Sequence, residues 1–305
     1  MSQSHRLSGR VVEDAENYLA AGQPPANTGA DGNHPSVPQP RVGRRQLAKL
    51  QSFLSERDLA VLHSVGGLHL VTTRQIERLH FIAPERTSLA ASRSTRRALA
   101  RLHDLGLLTR LERRVGGVRA GSASFIWRLS PVGARLLGDD TRRRSREPSL
   151  AHLAHVLGVA DLVVQLHERA EAGDVELLAV ETEPTCWRPF VGHHGARTML
   201  KPDLRVTLGI GEHELHWFVE FDRGTEYRIA LTRKIAAYVA AWRDGGEQAR
   251  AGVFPRVLWV VPDQRRTEVL SDVCGTASGV PEGMFAVAVT DQAITVLTSM
   301  SGGGS

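Results

Sequence analysis

The stretch Lys201-Pro202-Asp203-Leu204-Arg205-Val206-Thr207-Leu208-Gly209-Ile210-Gly211-Glu212-His213-Glu214-Leu215-His216-Trp217-Phe218-Val219-Glu220-Phe221-Asp222 reads as two strands and a turn. Asp203 to Leu208 and Leu215 to Glu220 are strand-like runs, and the segment between them is rich in glycine. A two-residue turn at Gly211-Glu212, with Gly first, is a favoured hairpin connection. That turn sets Asp203 directly opposite Glu220, about 5 Å apart at Cβ. Asp222 follows on the same face, because strand side chains repeat every second residue. A slip of one residue would send the acids to opposite faces. Three carboxylates at one point on a sheet suit a hard cation such as magnesium, the usual helper in cutting phosphodiesters.

Beyond the hairpin, the segment Ile229 to Trp242 has the period of a helix with Leu231, Ile235, Tyr238, Val239 and Trp242 on its apolar face, and Lys234 borders that stripe. A Pro-Asp at one strand end and an acidic-x-basic triplet on the next resemble the PD-(D/E)XK nuclease-like superfamily. The chain departs from that pattern at Asp222, where Lys is expected; some members carry the basic residue on the following helix, where Lys234 stands. The resemblance implies that Asp203 and Glu220 hold Mg2+ or Mn2+, that Asp222 adds to the site or orients a water, and that Lys234 steadies transition-state charge. Glu181 and Glu226 are weaker additions to this set. The same residues also fit a plainer reading, in which the acids are solvated and the lysine snorkels.

At 305 residues with 42% hydrophobic content, the chain is long enough for two domains with their own cores. The net charge is +5, and its distribution is uneven: between Arg93 and Arg146 fourteen arginines stand against four acids, Asp104, Glu112, Asp139 and Asp140. Such an excess points at phosphate. Cys186 and Cys274 are too few for a disulfide framework or a zinc quartet, so a reducing, cytoplasmic setting is expected. The longest apolar runs fall far below a membrane span, and no membrane association or small-molecule cofactor is expected. The histidine pairs 193/194, 152/155 and 213/216 have no cysteine cluster beside them to make a zinc site.

The expected organisation is a disordered arm over 1–45, a DNA-binding domain over 46–138, a basic linker over 139–148, an α/β domain over 149–298 and a flexible tail over 299–305. Ser55 and Asp58 open a helix that Gly66-Gly67 is expected to stop. A second helix begins at Thr72 or Thr73 and ends before Pro84. A third spans about Ser92 to Leu105, with Leu99, Leu102 and Leu105 inward and Arg93, Arg96, Arg97 and Arg101 outward. A glycine-tipped hairpin follows. Over about 54–138 this succession resembles a winged helix-turn-helix domain, with Arg101-Leu102-His103-Asp104-Leu105-Gly106-Leu107-Leu108 its most specific phrase. The resemblance implies that Ser94, Thr95, Arg96, Arg97 and Arg101 face double-stranded DNA and that Arg113, Arg114 and Arg119 hold phosphates.

The second domain has the expected order α-β-β-β-α-β-α-β, a mixed sheet with helices on its faces. With the Lys-Pro-Asp and Val-Glu-Phe-Asp-Arg-Gly-Thr-Glu phrases, the chain resembles the replication-relaxation family of actinobacterial and plasmid-borne proteins over about 50–295. That resemblance implies a role in plasmid or mobile-element replication and DNA relaxation. Two functions stand open: a divalent-metal-dependent endonuclease, and a non-catalytic regulator or replication initiator whose second domain serves homodimerisation or partner contacts.

Overall fold

The computed structural model describes residues 42–82, 87–115, 124–139, 148–192 and 195–299, with the side chains of 112–115 left out. The expected arm up to residue 41, the hairpin tip with Arg119, the linker from 140 to 147 and the tail from 300 lie outside the described residues. The fold class is α/β, and the chain divides into two compact units, Met1–Glu147 and Pro148–Ser305.

Among the described residues the first unit opens with helix α1 (Arg44–Ser52), whose first two residues lie inside the segment expected to be disordered. Helix α2 (Glu56–Leu68) is started by Ser55 and Asp58, which cap each other's backbone. It does not stop at Gly66-Gly67 but runs on to Leu68, because Gly66 lies where the side chains of Leu129 and Leu137 close over the helix and a side chain would be in the way. Thr72 and Gln75 form a second capping box, opening α3 (Thr73–His80) after the short strand β1 (Val71–Thr72). Thr87 caps α4 (Ser88–Asp104), which therefore begins four residues before the expected start. Strands β2 (Leu108–Val115) and β3 (Ser124–Leu129) pair antiparallel, and β1 joins the far side of β3. Ser130 and Pro131 then start α5 (Pro131–Leu136). Val61, Leu62, Val65, Ile76, Leu99, Leu102, Leu107 and Ile126 fill the core between helices and sheet.

The second unit begins with α6 (Leu150–Glu171), capped by Ser149. Then come β4 (Glu176–Thr182), the hairpin β5 (Arg188–Val191) and β6 (Arg197–Leu200), β7 (Leu204–Ile210) and β8 (His213–Phe221). After them follow α7 (Arg228–Asp244), α8 (Gly246–Ala251), β9 (Arg256–Val261), α9 (Gln264–Thr276), β10 (Phe285–Val289) and α10 (Ala293–Thr298). The β5–β6 hairpin, α8 and α10 were not foreseen. The main sheet runs β10-β9-β8-β7-β4, antiparallel from β4 to β8 and parallel from β8 to β10. Leu204 pairs with Val219 and Ile210 with His213, the register expected from a turn at Gly211-Glu212.

Each face of this sheet is covered. Phe218, Val257, Trp259 and Val261 pack with Leu231, Ile235 and Tyr238 of α7 and Leu270 and Val273 of α9. On the other face α6 and α10 lie against the sheet, and the indole N–H of Trp217 donates to the Leu297 carbonyl at 3.1 Å. Contrary to expectation, α6 is long and apolar enough to cross a membrane, alone among the described residues. Within this fold its Leu153, Leu157, Ala160, Val164 and Leu166 are buried.

At the end of the sheet beside β5, two arginines alternate with two glutamates. Arg188 Nη2 and Arg205 Nη1 reach Glu181 at 2.5 and 2.7 Å, and their Nε atoms lie 3.1 and 3.4 Å from Glu247. Arg188, Arg205 and Glu247 are buried, so each charge depends on its neighbours for compensation. Burial acts to raise the Glu181 pKa, but Arg188 and Arg205 outweigh it and hold the carboxyl below its ordinary value. Glu247→Ala leaves two buried guanidiniums sharing one carboxylate, and should destabilise the second unit by about 3–5 kcal/mol, read from the urea midpoint. A loss under about 1 kcal/mol, the range of an exposed pair, would mean that the ring is not a structural lock.

Candidate functional site

The β7–β8 register carries Asp203 to the lip of the sheet. Its N–H donates to the Val219 carbonyl at 3.1 Å, and its Oδ2 accepts the Phe221 N–H at 2.7 Å. The other oxygen, Oδ1, lies 3.2 Å from Nε2 of His155 on α6. The opposite ring nitrogen, Nδ1, lies 3.0 Å from the Phe221 carbonyl oxygen. A carbonyl and a carboxylate both only accept, so imidazolium is the form that satisfies both contacts. The hydrogen bond to Asp203 accordingly raises the His155 pKa above its ordinary 6.5, against the opposing pull of burial.

Glu220 is fully buried in the middle of the sheet. Its Oε1 accepts the Tyr238 hydroxyl at 2.6 Å, and Lys234 Nζ stands 2.6 Å from Oε2. Lys234 also lies 5.3 Å from the centroid of the Trp259 ring and 3.9 Å from Glu226. Burial pushes the Glu220 carboxyl up to about 8, outweighing the pull of Lys234, and the charge of Asp203 adds to the rise. Burial works against the Lys234 charge too, but Glu220 and Asp203 more than offset it and the ammonium is held charged. Asp222 turns to α9: Arg266 binds both of its oxygens through Nε and Nη2, and the Gly224 N–H donates to Oδ1 at 3.1 Å. The same guanidinium holds the Glu226 carbonyl at 2.9 Å.

Asp203, Glu220 and Asp222, expected to gather around one cation, each have a separate partner in this arrangement. Asp203 faces an imidazolium and Asp222 a guanidinium, while Glu220 accepts from a hydroxyl and lies against an ammonium. Mg2+ and Mn2+ need ionised oxygens turned toward a common point. Among the described residues no group of three or more His, Cys, Asp or Glu side chains is placed to hold a metal. Lys234 does reach Glu220, as its place on α7 suggested. Glu181 belongs to the arginine ring instead.

In the first unit, Arg93, Arg96 and Arg97 are exposed along one side of α4 and Ser94 is half-buried. Thr95, expected to face outward, is fully buried and its hydroxyl donates to the Ala91 carbonyl at 2.9 Å. It continues the inward row Ala91, Thr95, Leu99, Leu102, spaced as one helical face. Arg101 is also diverted: it pairs with buried Asp58 and donates to the Phe53 carbonyl at 3.4 Å. The backbones of Arg113 and Arg114 lie on β2, while their side chains, and all of Arg119, are outside the described residues.

The family model for replication-relaxation matches residues 62–257, from α2 into β9. The chain belongs to the replication-relaxation family. No curated protein and no solved structure matches it. The replication-relaxation match includes Asp203, Glu220, Asp222 and Lys234, while Arg266, the partner of Asp222, lies beyond it.

Sequence reasoning missed Arg266 and Tyr238 as members of this cluster, and weighed His155 only as a zinc ligand. Both His155 and Glu220 have folded pKa values above their ordinary ones, so both contribute stability that declines with rising pH. For His155 it is fully present below about 6.5 and lost through the raised folded value; for Glu220 the decline runs from 4.5 to about 8. The melting temperature of the second unit should therefore fall between about pH 5 and about pH 8, and His155→Gln should flatten the upper part of that fall. A melting temperature that rises over this range, or a His155→Gln profile parallel to wild type, would contradict the assignment.

Proposed function

We propose that the chain binds double-stranded DNA through the arginine face of α4, in the manner of a winged helix-turn-helix, and serves the replication or relaxation of plasmid or other mobile-element DNA. In this reading it is a non-cutting regulator or initiator. The observation that carries it is the exposed row of Arg93, Arg96 and Arg97 on a helix that is followed by an antiparallel hairpin. Guanidiniums on such a face can meet phosphates or base edges in the major groove. The family to which the chain belongs supports the setting in replication and relaxation.

The second unit is then a PD-(D/E)XK-like frame that keeps the strand register and the lysine of a nuclease but compensates its acids internally, leaving it for dimerisation or partner contacts. A second reading, a metal-dependent endonuclease, is favoured by one observation: the register that leads Asp203 toward Glu220 also finds Lys234 within 2.6 Å of Glu220.

Binding of a duplex at several salt concentrations separates these possibilities when run beside cleavage of supercoiled plasmid with magnesium, manganese or chelator. Wild type should bind with a steep salt dependence, and Arg96→Ala combined with Arg97→Ala should reduce the slope of log Kd against log salt by about 1.8. Neither wild type nor Asp203→Ala should nick the plasmid. An unchanged slope removes α4 as the DNA-binding helix; nicking that needs both metal and Asp203 establishes the endonuclease.

A further inference from the structure

The exposed arginines of α4 lie between two points at which the helix is tied to its neighbours. Near its start, the Ser92 hydroxyl donates to Glu77 of α3, at 2.9 Å to Oε1 and 2.8 Å to Oε2. Near its end, Arg101 pairs with Asp58 of α2 and also reaches the Phe53 carbonyl just before that helix. Asp58 is 2% exposed. One of its oxygens, Oδ2, accepts the Ser55 N–H at 2.8 Å, accepts the Ser55 hydroxyl at 2.6 Å and faces the Arg101 guanidinium. The capping carboxylate of α2 is thus also the anchor of α4.

We infer that Arg101 and Asp58 are positioning residues for DNA recognition: Arg101 is a strut from α4 to the start of α2 that fixes the angle at which Arg93, Arg96 and Arg97 are presented, and is not itself a DNA contact. The inference rests on the reading of α4 as the DNA-binding helix. Three features support it. Arg101 has a buried carboxylate for a partner, and surrendering that partner to reach a phosphate would leave Asp58 uncompensated. Its two terminal nitrogens serve different acceptors, Asp58 and the Phe53 carbonyl, a fork that a lysine cannot reproduce. Arg93, Arg96 and Arg97, by contrast, are exposed.

A phosphate-binding arginine and a strut respond differently to salt. Removing a side chain that neutralises one phosphate lowers the slope of log Kd against log salt by about 0.9. Removing a strut weakens binding while the number of displaced counterions stays the same. The experiment measures binding of the full chain to a mixed-sequence duplex over a salt series for Arg96→Ala, Arg101→Ala, Arg101→Lys, Asp58→Asn and the combined Asp58→Asn, Arg101→Ala variant. Hydrogen exchange over Ser88–Asp104 is followed in each.

Arg96→Ala should lower the slope by about 0.9 and leave exchange unchanged. Arg101→Ala should weaken binding severalfold at an unchanged slope and speed exchange along α4, and Arg101→Lys should fail to rescue it. The combined variant should bind no more weakly than the weaker of its two parents, since both remove one interaction. A slope lowered by about 0.9 in Arg101→Ala, or full affinity in Asp58→Asn, would overturn the inference. Should wild type bind no DNA, the proposed function falls, and hydrogen exchange still decides whether Arg101 holds the helix: unchanged exchange in Arg101→Ala, which leaves the Ser55–Asp58 cap intact, would refute it.

Discussion

A carboxyl on the buried side of a central strand has to be compensated where it stands, and in the second unit that constraint falls on Glu220. No water is available to do it at full burial, so the fold supplies a hydroxyl and an ammonium from one helix. Tyr238 and Lys234 lie four residues apart on α7, one turn, and both must meet the same carboxyl. That requirement fixes the rotation of α7 about its axis and its position along β8. Leu231 and Ile235 then fall against the sheet beside Trp259 and Phe218. Apolar packing supplies most of the attraction, being proportional to area, but it is tolerant of small rotations; the polar pair selects one of them.

The same logic organises the rim. Asp203 and Asp222 emerge at the ends of β7 and β8, and each is answered by a cation from a different helix, His155 from α6 and Arg266 from α9. The helices on both faces are therefore tied to one edge of the β7–β8 pair by charge as well as by packing. In the proposed function these pairings go with DNA binding without cleavage.

How much of this could be read from the chain follows from how local each feature is. The β7–β8 register was legible because a two-residue turn with glycine first leaves little choice, and Gly211 does adopt a positive φ of 59°. The capping box at Ser55, and the inward leucines of α4, were legible for the same reason. Gly66-Gly67 misled, because a pair of glycines usually ends a helix, whereas here Leu129 and Leu137 approach closely enough to make the smallness of Gly66 useful inside one. Thr95 misled because a polar side chain was taken to face outward; its hydroxyl is satisfied by the carbonyl one turn back, so burial costs it little. The Asp222–Arg266 and Asp203–His155 pairs join residues far apart in the chain, and no local pattern announces which cation an acid will find.

The two-residue turn also bears on how the sheet is assembled. Closing β7 against β8 brings together neighbours in the chain at small cost in loop entropy, whereas β4 must wait for an intervening hairpin and β9 and β10 for intervening helices. The β7–β8 hairpin is thus the cheapest pairing in the sheet to make first, and once made it offers a free edge on each side to the strands that arrive later.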